Sequence, residues 1–122
     1  MKQPQRGNTL PEVLIGLLVL IPVAVVVVGM FPYAHTIDAR AWALSTAQSL
    51  AESELETQRS VSFNAVNNTS YHHLDRGMDF LVNVSVTPVD AQLWSVTSNV
   101  TWQFQRQNSF HLTTYIAKTA PP

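Results

Sequence analysis

RGNTLPEVLIGLLVLIPVAVVVVGMFPYA, residues 6–34, contains one carboxylate, Glu12, followed by 22 residues (13–34) that carry no formal charge. Wound as a helix at ~1.5 Å per residue, that run spans the ~30 Å hydrocarbon core of a bilayer. A helix apolar on all sides can also be buried in protein, but only if neighbours surround it. The remainder of this chain, about 80 residues, is too small for that. Residues 8–34 are therefore expected to form a transmembrane helix. Lys2 and Arg6 precede it, while Asp38 and Arg40 cancel just after it, so the positive-inside bias puts the N-terminus in the cytoplasm and everything beyond Tyr33 on the other side. The sequence that follows, GMFPYAHTIDARAW, offers no small-residue cleavage pattern of the secretory kind.

Composition narrows the function. With 122 residues the expectation is one small domain on an anchor, and with no cysteine there is neither a disulfide framework nor a thiolate metal site. Lys2 and Arg6 are two of only seven basic residues, so the chain beyond residue 7 sets five bases against eight acids. That balance does not suit a surface that tracks phosphates, and no direct nucleic-acid binding is expected.

A carboxylate at the edge of hydrocarbon costs several kcal/mol unless it is paired. Glu12 therefore calls for a reason, and the residues before it supply one. A short basic leader ending in Gly7, then NTLPEVLIGLL, resembles the processing signal of type IV prepilins and type II secretion pseudopilins. The resemblance implies that a prepilin peptidase/methyltransferase removes residues 1–7 by cutting Gly7–Asn8 and methylates the new terminal amine of Asn8. Glu12 then becomes the fifth mature residue, the place where the family carries its glutamate. In that family the glutamate of an incoming subunit neutralises the terminal amine of a neighbour already in the fibre. Glu12 is thus expected to act in assembly, since desolvation penalises wrong registers. Asn8 departs from the phenylalanine usual at this position. Without Gly7 and the basic leader, an interfacial glutamate snorkelling to headgroups and favoured by the helix dipole would be the preferred reading.

Pro11 lies near the helix start, where a missing N–H matters little. Pro22 lies inside the run, so a kink or opened segment is expected near residues 18–23, and Pro32 is expected to add a second bend. The β-branched stretch VAVVVVG, ending at Gly29, has modest helix preference. Pilins resembling this chain loosen a comparable stretch in the fibre, so Pro22, Gly29 and Pro32 are the expected helix-break positions. Residues 35–59 read as an amphipathic helix with Ile37, Ala41, Leu44, Ala47 or Gln48, Ala51 and Leu55 on one face, and with Glu52, Glu54 and Glu56 mostly turned away.

A polar, Asn-rich connecting loop is expected over 60–79 and a β-sheet region over 80–122. Three segments of that region alternate with oily residues at even positions. The first has Phe80, Val82, Val84 and Val86. The second has Trp94, Val96, Val100, Trp102 and Phe104, interrupted by Ser98. The third has Phe110, Leu112 and Ile116 with Thr114. Short polar connections, PVDAQ and QRQNS, favour a three-stranded antiparallel meander packed on the 37–55 helix. The expected fold is thus α+β, a long N-terminal helix against a small antiparallel sheet, a pilin-like lollipop. SNVTWQF and SFHLTTYIA resemble the last strands of small minor pilins of the PilV and type II secretion I-subunit kind.

No nucleophile elbow, phosphate loop or paired carboxylates can be recognised, and neither an enzyme nor a cofactor is expected. HHLD, with His72, His73 and Asp75, is the one cluster with metal-ligand chemistry, but adjacent histidines point apart on a strand, and a solvated loop is the better reading. Trp94 and Trp102 share the oily face and read as core. Asn-x-Ser/Thr patterns begin at Asn67, Asn68, Asn83 and Asn99. The resemblance implies a minor pilin of a type IV pilus, held in a bacterial inner membrane as precursor and then in a filament in the periplasm or on the cell surface. Its implied partners are other pilin subunits, the processing enzyme and the inner-membrane assembly platform. A type II secretion pseudopilin and a membrane-tethered binding protein that never enters a fibre are the alternatives.

Overall fold

The computed structural model describes residues 9–118. Helix α1 (Thr9–Ser60) is followed by a single 3-10 turn at Phe63–Ala65 and by four strands, β1 (Thr69–Asp75), β2 (Met78–Asp90), β3 (Leu93–Phe104) and β4 (Arg106–Ala117). The fold is α+β, with one long helix and one antiparallel sheet. The chain divides into two compact units, Met1–Ala39 and Arg40–Pro122.

In the first unit every described residue up to 35 is exposed, as a helix with no protein neighbour must be. The expected division between a helix over 8–34 and another over 35–59 is corrected: α1 runs without interruption through Pro22, Gly29 and Pro32. Each proline removes one N–H and leaves one carbonyl without its usual donor, yet the bonds on either side carry the helix past it. Thr36 Oγ1 donates to the Pro32 carbonyl at 2.9 Å, a side-chain bond of the kind that bends a helix without ending it.

In the second unit the sheet order is β1-β2-β3-β4, each strand antiparallel to its neighbour. The inward face is the even-numbered one expected from the sequence: Phe80, Val82, Val96 and Val100 are fully buried, Val84 and Trp102 nearly so. Ala43, Ala47 and Ala51, all 0% exposed, form an i, i+4 ridge of small residues that packs on Phe80, Val82, Val100 and Trp102. A second cluster joins Leu55, Val66, Val84 and Val96, with Trp94 and Ile116 at its margin and Phe63 against the Trp94 ring at 5.7 Å. The covered helix face is the expected one at Ala47, Ala51 and Leu55 and departs from it nearer the start, where Ala43 is buried instead. Ile37 and Leu44 remain about half exposed, and Ala41 is exposed. Alanine lets the helix approach the sheet closely, and the bulkier Leu44 is left on the flank.

Two further corrections concern the sheet. Residues 60–79 are not one loop, because β1 lies within them and pairs along its whole length with β2, from Thr69↔Val84 to Asp75↔Met78. The meander thus has four strands. The strands also extend into the expected connections: β2 reaches Asp90, with a register shift between Pro88 and Asp90, and β4 begins at Arg106 after a reversal at Gln105, where φ is +59°.

Candidate functional site

The expected site is the start of α1. Glu12 sits in its first turn, where the unpaired N–H groups and the helix dipole favour a negative charge. Downstream, seventeen large apolar side chains between Leu10 and Tyr33 are exposed, from Leu17 at 45% to Leu10 and Leu18 at 75%. The helix is long and apolar enough to cross a membrane, with a mean hydropathy of 3.0 in its most apolar window and none of that window buried. Burying one such side chain is favourable by about 1.5–3 kcal/mol, so leaving the whole band in water exceeds the ~5–15 kcal/mol that stabilises a folded domain. A band of this length and hydropathy is consistent with a membrane anchor. Gly7 and Asn8, the residues expected to flank the cut bond, lie outside the described residues. Pro22 and Gly29 fall within the exposed band, and Pro32 falls at its far end.

No family model, curated protein or solved structure matches the chain.

The other sequence candidates are placed as follows. His72 Nδ1 lies 2.8 Å from Asp79 Oδ2 on an exposed face, and His73 and Asp75 project from the opposite face of β1. Among the described residues no group of three or more His, Asp or Glu side chains converges. Trp102 is 7% exposed within the first core cluster, and Trp94, near the other end of β3 on the same face, is half-buried at the margin of the second. Asn83 and Asn99 are cross-strand neighbours on the outer face, and Asn68 Oδ1 accepts from the Val86 N–H at 2.7 Å.

Several polar contacts fall outside the sequence reading. Tyr71 on β1 donates its hydroxyl to Glu54 Oε2 at 3.3 Å, and Gln58 Nε2 donates to Glu54 Oε1 at 3.3 Å. Burial, helped by the Glu54 carboxylate and the hydrogen bond to it, holds the Tyr71 hydroxyl above its usual pKa. Arg76 stands over the Trp42 ring, 5.1 Å from its centroid, and Trp42 in turn meets Phe80 edge-on. Arg40 Nη2 donates to Gln105 Oε1 at 2.7 Å, and Arg59 Nη2 donates to Thr114 Oγ1. Apart from the Gln58–Glu54 bond within the helix, each joins groups far apart in sequence, which no local pattern signals.

Proposed function

We propose that this chain is a minor pilin, a structural subunit of a type IV pilus that enters the fibre through α1 after cleavage between Gly7 and Asn8, and that it belongs to the tip or priming complex. One observation carries the reading: a helix exposed and apolar on all sides from Leu10 to Tyr33, with a lone carboxylate in its first turn. In the bilayer, lipid covers that band; in a fibre, the helices of sister subunits do. Glu12 has a charged partner only once scission has freed the Asn8 amine, and only on a neighbouring chain, so register and charge are satisfied together. The partners that follow are other pilin subunits, the prepilin peptidase/methyltransferase and the inner-membrane assembly platform. A type II secretion pseudopilin would use the same physics in another machine.

The decisive measurement is the mass of the protein isolated from fibres of its native host, expected to begin at Asn8. A functional pool that still carries Met1 or Lys2 rules the reading out. Glu12→Ala should be cleaved normally but recovered in fibres at least about tenfold less, because the neighbour's amine is left buried and unpaired. Unchanged recovery removes the role given to Glu12. In the fibre, residues 22–29 are expected to lose helix, and a fibre map with unbroken helix through Pro22 contradicts that.

A further inference from the structure

β4 is the last strand of the sheet, so its outer edge presents main-chain N–H and C=O groups that no other described strand takes up. Proteins ordinarily blunt such an edge with charge, proline, a bulge or brevity. The opposite edge is blunted: β1 has seven residues and ends in Asp75, beside Arg76. β4 is not. Apart from Arg106 at its start, β4 contains no formally charged residue and no proline, and it keeps one register with β3 throughout.

The inward side of this edge is open as well. The alanine ridge of α1 packs on residues of β2 and β3, and Phe110, Leu112 and Ile116 of β4 are left only half-buried. Two hollows lie in line between the helix flank and β4. One, of about 240 Å³, includes Arg40, Leu44 and Asn108 in its lining. The other, of about 230 Å³, includes Glu52, Glu56 and Leu112. Arg40, bonded to Gln105, and Arg59, bonded to Thr114, mark the two ends. From Arg40 to Arg59 the helix advances about 28 Å, and from Gln105 to Thr114 the strand advances about 31 Å. Helix and strand therefore run side by side in the same direction, with a groove between them.

We propose that this groove is a strand-addition site, in which an extended segment of another protein pairs antiparallel with the outer edge of β4 and sends alternate side chains into the two hollows. Only a strand satisfies both the unpaired main chain and the groove beneath it. Its chemistry follows from the lining. Leu44, 48% exposed, with Phe104 in the first hollow, and the half-buried Leu112 in the second, suit aliphatic side chains at the central inward positions. Glu52 and Glu56 have one cation nearby, Arg59 at 3.7 Å from Glu56, which leaves a net negative end for a basic residue at the segment's N-terminal side. Arg40 suits an acidic residue at its C-terminal side. A second copy of β4 matches only one end of this rim: laid antiparallel it brings Arg106 toward Glu52 and Glu56, but it sets Lys118 against Arg40, like charge against like. The groove lies wholly within Arg40–Pro122, so its occupant does not depend on whether α1 enters a fibre.

The test uses the full chain in detergent micelles and a capped peptide, Lys-Thr-Val-Thr-Val-Thr-Asp, followed by amide hydrogen exchange and by fluorescence anisotropy. The peptide should slow exchange in β4 and leave the outer edge of β1 unchanged. N-methylation of alternate peptide amides, which leaves the protein untouched, should abolish binding, and exchanging the terminal Lys and Asp should weaken it. Leu44→Lys, at a half-exposed position, should weaken binding about tenfold without lowering the melting temperature. The proposal is overturned by no binding at millimolar peptide, by protection at β1 in place of β4, by indifference to N-methylation, or by concentration-dependent protection of β4 without peptide, which would make a second copy the occupant.

Discussion

At Arg76 and Gly77 the backbone takes φ of +49° and +79°, the consecutive left-handed pair that a two-residue type I′ hairpin turn requires between β1 and β2. A Cβ added at Gly77 meets nothing within 4 Å, so the cost of Gly77→Ala is conformational alone. It should lower stability by about 1 kcal/mol, read as a reduced urea midpoint at unchanged slope. Arg76 is less suited to this backbone than asparagine or glycine, but its place over Trp42 gives it a contact that neither could make. Tyr71 makes a prediction of a different kind. Its hydroxyl titrates above the usual value in the folded chain, so between about pH 10 and the folded pKa the native state keeps a proton that the unfolded state has lost. The stability tied to that proton is complete below about pH 10 and declines as pH rises through the folded value. Urea midpoints should therefore fall with alkaline pH, and Tyr71→Phe should flatten that decline.

Among the elements, the helix–sheet contact is the most demanding. Ala47 is fully buried on a ridge that touches large side chains, and Ala47→Leu should destabilise the fold by about 1–3 kcal/mol through overpacking, measurable by thermal unfolding. The same ridge explains what the sequence revealed and what it hid. β2, β3 and the inward side of β4 were legible because one face of each is oily and the other polar, down to Ser98, whose buried hydroxyl has no partner among the described residues. β1 was not legible. Its inward positions are Thr69, Tyr71, His73 and Asp75, an edge strand's residues with no oily period. The helix face was read correctly at Ala47, Ala51 and Leu55 but not at Leu44, because hydrophobicity ranks leucine above alanine, whereas close approach to the sheet selects the smaller Ala43. At the candidate site, Glu12 and the apolar band are plain in the sequence because both depend on composition along one helix. The α1–β4 groove depends on tertiary pairing of Arg40 with Gln105 and Arg59 with Thr114, which spacing cannot reveal.

At the scale of the molecule, the second unit holds its own core, with both buried clusters falling between Ala43 and Trp102. A chain begun at His35 should accordingly be soluble and melt cooperatively, as followed by circular dichroism with analytical ultracentrifugation. Aggregation of that piece would show that the sheet does not suffice to cover the helix. The strand order carries one more consequence. Because β1, β2, β3 and β4 stand in the sheet in the order they occur in the chain, every pairing closes a single hairpin, and the loop entropy lost at each step is small. The first hairpin can form before the last strand has been delivered, and zippering can advance in the direction of synthesis. Folding of such a sheet is limited by local turn formation, so slowing the Arg76–Gly77 reversal should slow the whole reaction more than an equal perturbation at the carboxyl end.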